Sequence, residues 1–275
     1  MKQTRKAKLN RETISSLMIS VPKRQVGLLS EWFQTTAGTS LLEKENNLLQ
    51  QILPELFGYH LVWFGVADYR TGILSSSIRH CTHLQMLGEC AACSCDVVGC
   101  HTQLPIQRDS IDVVILSHLL EYSPHPHAIL REVERVLHPD GHIIILGFNP
   151  ISFYGLYRIL PGFRGNMPWQ GRFYHPLRIR DWLQLLGFSL KSVSYTAFLP
   201  PIQHYGMVKR IKFLERVGQG FLAPMNSVYM IVAHNLAVPP SIVMPARKKK
   251  KTVLDGVIEP TTRIGYRNIN IRKNE

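Results

Sequence analysis

The chain has 275 residues, 45% apolar and 19% charged, enough for one ample core and unlike a disordered or collagenous polymer. No apolar run reaches the eighteen or so residues that a membrane helix needs; the nearest, Phe221 to Val243, is broken by Pro224, Asn226, His234, Asn235 and Pro239. Of the net charge of +13, residues 1–24 hold +6 and residues 247–275 another +6, which leaves +1 for everything between.

That distribution predicts a nearly neutral domain over residues 25–238, a basic N-terminal segment over 1–24 and a basic tail over 239–275. Basic ends attract RNA, DNA or anionic lipid without reading sequence, and they also serve simply as solvated tails. No RNA-binding motif accompanies them, so a nucleic-acid partner is the lesser expectation. The N-terminus lacks the apolar stretch and small-residue cleavage site of a signal peptide. All five cysteines fall between Cys81 and Cys100, unlike a secreted disulfide framework, and a cytoplasmic location is expected.

Ser40 and Glu43 are spaced as a capping box. Behind them Leu41, Leu42, Leu48, Leu49, Ile52, Leu53 and Leu56 recur at helical spacing. The run Leu61-Val62-Trp63-Phe64-Gly65 is too short for a helix and reads as a buried strand. Residues 70–95 show no clean period. Ile111, Val113, Val114, Ile115 and Leu116 then form a strand of the kind covered on both faces.

Pro126 primes a helix with Ile129, Leu130, Val133, Val136 and Leu137 on one stripe. Pro139-Asp140-Gly141 turns the chain into a second apolar strand, His142 to Phe148. Such a strand–helix–strand unit implies parallel strands and a right-handed crossover. After a stretch rich in Gly, Pro and aromatics, a helix carries Ile179, Trp182, Leu183 and Leu186 and stops at Gly187. Phe188–Phe198 and Ser227–Asn235 are predicted as further strands. The alternation points to an α/β, doubly wound, Rossmann-like sheet.

Three segments carry a family resemblance. Leu104-Pro-Ile-Gln-Arg-Asp-Ser-Ile-Asp-Val-Val-Ile-Leu-Ser-His-Leu-Leu-Glu121 resembles the LPF…SFDxV signature of class I S-adenosylmethionine-dependent methyltransferases of the type 11 kind. Leu130-Arg-Glu-Val-Glu-Arg-Val-Leu-His-Pro-Asp-Gly-His142 resembles their LREVxRVLxPGG segment, with Asp140 in place of the first Gly. Gly147-Phe-Asn-Pro-Ile-Ser-Phe153 is similar to a proteobacterial subgroup of these proteins. The match spans about residues 60–200. It implies a seven-stranded sheet whose last strand, Ser227 to Asn235, runs antiparallel, S-adenosylmethionine as cofactor, and a small-molecule acceptor.

In open α/β sheets a ligand lies beyond the carboxyl ends of the strands, at the topological switch point. Gly65, Cys100, Ser117 and Asn149 are expected there. The resemblance places Gly65, Val66, Cys100, His101, Ser117 and His118 around the cofactor. Three departures from the family stand out. The GxGxG turn is reduced to Gly65-Val66-Ala67-Asp68; no Asp or Glu occurs from Tyr69 to Gly88, where the ribose-binding acid ends the second strand; and Cys100 occupies the Asp of the D-A-x-x-L-P pattern. Asp68 or Glu89 are the available substitutes for the acid.

His118 is the candidate catalytic residue, either as a general base for a hydroxyl acceptor or as a side chain that only lines the pocket. Glu121 and Tyr122 carry the same pair of readings, with solvated helix-start roles as the favoured one. Asn149-Pro150 lies after the fifth strand rather than the fourth and lacks the second Pro of an NPPY box. The spacing Cys90-x2-Cys93-x-Cys95-x4-Cys100, near His83 and His101, is irregular for zinc, so no metal is expected. The stretch Phe153–His175 interleaves aromatics with Arg158, Arg164 and Arg172. It reads equally as a pocket cap or as satellite core. The leading expectation is a methyltransferase working by in-line methyl transfer. The alternatives are a non-catalytic methyltransferase-like scaffold, favoured by the reduced glycine turn, and an RNA-associated protein.

Overall fold

The computed structural model describes residues 23–65, 69–86, 96–99, 103–159, 168–196 and 226–236. Contacts divide the chain into Met1–Ala237 and Val238–Glu275, and all of the second unit lies outside the described residues. So do the basic residues before Lys23. Lys23 and Arg24 open a helix, α1 (Lys23–Phe33).

Among the described residues a seven-stranded sheet forms from β1 (His60–Phe64), β2 (His80–Met86), β3 (Val97–Gly99), β4 (Ile111–Ser117), β5 (Leu137–Phe148), β6 (Phe188–Thr196) and β7 (Val228–Asn235). Their order is β3-β2-β1-β4-β5-β7-β6. The pairs β1–β2, β2–β3, β1–β4 and β4–β5 are parallel, whereas β7 runs antiparallel to both β5 and β6. The expected α/β class and antiparallel last strand are both present. The strand order reverses between β1 and β4, which makes their carboxyl ends the switch point.

The all-apolar runs went where their patterning demanded. In β4, Val113, Val114, Ile115 and Leu116 are all buried, as are Ile143 to Leu146 of β5. A strand covered on both faces cannot alternate. The helix between them, α4 (Pro126–Val136), buries Ile129, Leu130, Val133 and Val136. Its other face clips the segment before β4. Glu132 Oε2 accepts from Leu104 N at 3.1 Å, and Arg135 Nη2 and Nη1 donate to the carbonyls of Leu104 and Ile106. The first two segments of the family resemblance therefore touch each other.

Three details differ from expectation. The helix α2 (Thr36–Ile52) is capped by Thr35, whose Oγ1 accepts from Gly38 N at 3.3 Å, and not by Ser40, which lies inside it. Thr35 also donates to the Trp32 carbonyl at 2.7 Å, so the cap is fixed by packing against α1 rather than by the Ser40–Glu43 spacing. The aperiodic stretch from residue 70 holds a single helical turn, α3 (Arg70–Ile73), and then β2. Pairing in β5 begins at Leu137, opposite Ile111, and shifts register before resuming at His142 opposite Val113. Within that irregularity Asp140 sits at φ +66°. A left-handed backbone explains why a Gly is usual there and why Asp, a tolerated residue, can replace it.

The remaining helices are α5 (Phe153–Ile159) and α6 (Pro176–Leu185), the latter ending before Gly187 at φ +86°. The aromatics after β5 pack as core. Phe148 stacks on Tyr154 at 5.8 Å and tilts against Phe173 at 5.1 Å, while Tyr154 stacks on Trp169. Arg158 lies over the Phe173 ring.

Candidate functional site

The register sets Phe64 beside Leu116 in adjacent parallel strands, so the residues that follow, Gly65 and Ser117, meet at one edge. A Cβ built on Gly65 would lie 2.9 Å from both Ser117 Cβ and Ser117 O, and Gly65 has φ +150°. Only a residue without a side chain fits that approach and that backbone. The shared edge required of a ligand cleft is therefore formed by these two residues.

Just beyond it lies a buried polar cluster drawn from three elements. His118 follows β4 with φ +48°, and its backbone N–H donates to the Leu146 carbonyl at 3.0 Å. A left-handed non-Gly residue at a strand end is stored strain, common at functional sites. Its Nε2 is 2.9 Å from Glu45 Oε1 and its Nδ1 is 3.1 Å from Glu121 Oε2. Glu45 Oε2 accepts from the Tyr69 hydroxyl at 2.6 Å, and Tyr69 in turn accepts from Ser117 Oγ at 2.6 Å. Glu121 Oε1 accepts from Phe148 N. The relative exposures of Glu45, His118 and Glu121 are 0%, 1% and 3%, so no solvent screens these charges.

Each imidazole nitrogen of His118 faces a carboxyl oxygen, an arrangement that favours the imidazolium, with Nε2 donating to Glu45 and Nδ1 to Glu121. Burial by itself pushes His118 down, but Glu45 and then Glu121 outweigh it and hold its pKa at about 10. Glu121 is raised by burial, with His118 opposing, and Tyr69 is raised by burial and by Glu45 beside it. The His118 ring is packed between Phe33 and Phe148, with centroids at 5.6 and 4.2 Å.

Two of these assignments change the sequence-based picture. Glu121 and Tyr122 are buried, not solvated: Tyr122 donates to the Pro168 carbonyl at 2.7 Å, and the Glu121 carbonyl accepts from Arg172 N at 2.7 Å. His118 in this arrangement keeps no lone pair to take a proton from a substrate, because both nitrogens carry hydrogens aimed at carboxylates. Glu45 and Tyr69 escaped sequence reasoning. A signal for Glu45 existed, since it falls on the apolar stripe between Leu41 and Leu49, one turn from each.

A second group of polar atoms lies on β1 and β2. Trp63 stacks on His83 at 4.8 Å, and His83 Nε2 donates to the Gly65 carbonyl at 3.1 Å. Gln85, next on the same face of β2, is buried, and among the described residues neither its amide oxygen nor its amide nitrogen has a partner. Trp63 Nε1 is likewise buried and without a partner among the described residues. Asn149, at the end of β5, is held in place instead: Nδ2 donates to the Asn226 carbonyl at 2.9 Å and Oδ1 accepts from Ile151 N.

Of the six residues expected around a cofactor, Gly65, Ser117 and His118 come together at the switch point. Val66, Cys100 and His101 lie outside the described residues, as do Asp68, Glu89, Cys90, Cys93 and Cys95. Among the described residues no group of three or more His, Cys, Asp or Glu is arranged to hold a metal ion. No helix among them is long and apolar enough to cross a membrane.

Comparison with known proteins agrees with this frame. A family model described as a methyltransferase domain matches residues 77–145. The uncharacterised protein YafS of Escherichia coli (strain K12) is 30% identical over 197 residues, 72% of this chain and 77% of that protein. Among solved structures, a SAM-dependent methyltransferase from Thermotoga maritima, described as a possible histamine N-methyltransferase, superposes with a TM-score of 0.55. It is 17% identical and covers 78% of this chain and 98% of its own. A SAM-dependent methyltransferase from Archaeoglobus fulgidus, also 17% identical, gives 0.51 with 76% and 98% covered. These two likenesses establish the fold. Taken with the sequence relative and the matched domain, they make this chain a member of the class I S-adenosylmethionine-dependent methyltransferase family.

Proposed function

We propose that the protein binds S-adenosylmethionine beyond the carboxyl ends of β1, β2 and β4 and transfers its methyl group in line to a small or medium-sized acceptor. The observation that carries this reading is the bare backbone at Gly65, pressed against Ser117 at the switch point. Backbone without a side chain at that place lets a ligand approach closely. Gln85 supports the fit from the neighbouring strand. Its orphaned amide offers one acceptor and two donors at the end of β2, about 20 residues after Gly65, where dinucleotide folds hold a ribose diol with an acid. Gln85 thus stands in for the missing carboxylate.

When bound, the donor supplies an electrophilic methyl carbon attached to a sulfonium. The chain's own part is to hold and orient. Gly65 and Ser117 line the donor's bed and Gln85 takes the ribose hydroxyls, while Val66, Cys100 and His101 are assigned to the donor by the family resemblance alone. Alignment of the reacting atoms supplies most of the rate enhancement in a displacement of this kind. His118 acts as a positioning residue and not as a base, since its imidazolium already serves two carboxylates. The catalytic unit in this reading is residues 25–238, flanked by the basic segments 1–24 and 239–275, in the cytoplasm.

Calorimetric titration with S-adenosylmethionine and S-adenosylhomocysteine tests the donor site. Micromolar affinity for the wild type, weakened at least tenfold in Gln85→Leu, is the expected result. No heat up to millimolar ligand would defeat the proposal and favour a scaffold without chemistry, as the single-glycine turn suggests. A salt-sensitive interaction with RNA that vanishes on deletion of residues 247–275 would add the tail as a nucleic-acid contact.

A further inference from the structure

A half-buried cation stands above the strand ends without a counter-charge among the described residues. The 32 residues from Asn149 to Arg180 hold five Arg and no Asp, Glu or Lys, so the stretch that leaves β5 and runs into α6 cannot neutralise itself. Two of the five are engaged on α6: Arg178 lies over the Tyr174 and Trp182 rings, and Arg180 is 3.8 Å from Asp181. Arg164 lies outside the described residues, and Arg172 is exposed. Arg158, on α5, is half-buried, with its guanidinium carbon 5.5 Å from the Phe173 ring centroid. No carboxylate pairs with it among the described residues.

Aromatic contacts set its place. The Phe173 ring is 5.1 Å from that of Phe148, which in turn is 4.2 Å from the His118 ring. Arg158 therefore lies on the side to which β4 and β5 direct their carboxyl ends, where open α/β sheets hold ligands. Its charge also reaches Tyr122: burial and then Glu121 raise that hydroxyl, and Arg158 opposes them. A ring contact offers a guanidinium no hydrogen-bond acceptor, so it leaves the N–H donors of Arg158 unspent. Those donors form a rigid fork that matches the geometry of an oxyanion. Partial withdrawal from water strengthens such a pair.

We propose that Arg158 is the specificity-determining residue of the acceptor site, and that the acceptor carries a carboxylate or phosphate group held by its guanidinium. The inference rests on the methyl-transfer reading above for the ligand's role as acceptor, although the oxyanion site itself is measurable without the donor. Phe173 holds the guanidinium in place through its ring face. Arg158 binds and orients the acceptor and takes no part in making or breaking bonds.

The probes are benzoate, phenyl phosphate and the neutral benzamide, whose binding to the full chain is followed by ligand-observed NMR at pH 7.5. At least one of the two anions is expected to bind roughly tenfold more tightly than benzamide, and which of them does so separates a carboxylate acceptor from a phosphate one. Arg158→Gln is expected to erase that preference. Arg158→Lys should keep only part of it, since a point charge replaces the fork, and it carries the test should the Gln variant fail to fold. Arg172→Gln removes an exposed cation of the same stretch and should leave the preference in place. Calorimetry with S-adenosylhomocysteine on the same variants should give the wild-type affinity, because Arg158 is no part of the donor bed. A wild type that binds neither anion better than benzamide, a preference that survives in both Arg158 variants, or an equal loss in Arg172→Gln would each overturn the proposal. A wild type that takes up no S-adenosylhomocysteine, yet keeps an Arg158-dependent preference for an anion, would defeat the donor reading and leave the oxyanion site standing.

Discussion

Glu45 Oε1 and His118 Nε2 meet at 2.9 Å, joining a helix that precedes the sheet to the turn that follows its fourth strand. Glu121 holds the opposite nitrogen, so the imidazole is clamped from both sides. A clamp of this kind is expensive to break, because removing one member leaves the others buried and uncompensated. It also makes His118 a source of alkaline pH dependence in the fold.

The sign of that dependence follows from the shift. With a folded pKa of about 10 against an ordinary 6.5, His118 contributes stability that is fully present below pH 6.5 and lost as pH rises through 10. The upward shift of Glu121 works in the same direction. His142 runs the other way: burial, then Lys191 and His234, lower it, so its contribution is lost as pH falls below 6.5. Urea midpoints measured from pH 5 to 10 should therefore decline toward the alkaline end. In His118→Asn the decline between pH 7 and 10 should disappear, with a loss of about 3–5 kcal/mol at pH 7. An alkaline limb that persists in the variant would assign it to another group.

Gly65→Ala tests the close approach at the switch point. The added Cβ would sit 2.9 Å from Ser117 backbone and side-chain atoms, in a backbone conformation that L-residues resist. The expected cost is about 1–3 kcal/mol in thermal or chemical unfolding, together with a donor affinity reduced tenfold or more. Full affinity in a stable Gly65→Ala protein would place the donor elsewhere.

Asp140→Gly should be neutral or stabilising. At φ +66° the residue spends conformational energy of about 1 kcal/mol that Gly avoids, offset in part by the greater freedom of Gly in the unfolded chain. A rise in melting temperature of a few degrees is the expected reading. A marked fall would reveal a side-chain role for Asp140 that its backbone does not show.

Much of the fold was legible because its strands are long apolar runs. Ile111–Leu116 and His142–Phe148 admit few readings, and the stripe on α4 with Pro126 at its start admits fewer. The second strand was not legible. His80-Cys81-Thr82-His83-Leu84-Gln85-Met86 mixes polar and apolar side chains, because His83 and Gln85 are buried polar groups on a strand with few apolar ones. The helix start at Thr35 was hidden for a different reason: its cap depends on the Trp32 carbonyl of a preceding helix, a tertiary contact. At the site, Gly65, Ser117 and His118 could be placed from strand ends alone. Glu45 and Tyr69 could not, since their partners are 73 and 48 residues away in the chain.

The place of β7 bears on how the molecule assembles. It is inserted between β5 and β6 and pairs with both along nearly its whole length, from Val228 to Asn235. Until the ribosome has delivered β7, β5 presents an open hydrogen-bonding edge and β6 lacks its one partner among the described strands. Closure of the sheet is consequently a late event in biosynthesis, and a nascent chain stalled before Val228 would expose the apolar run Ile143–Leu146 of β5 to aggregation.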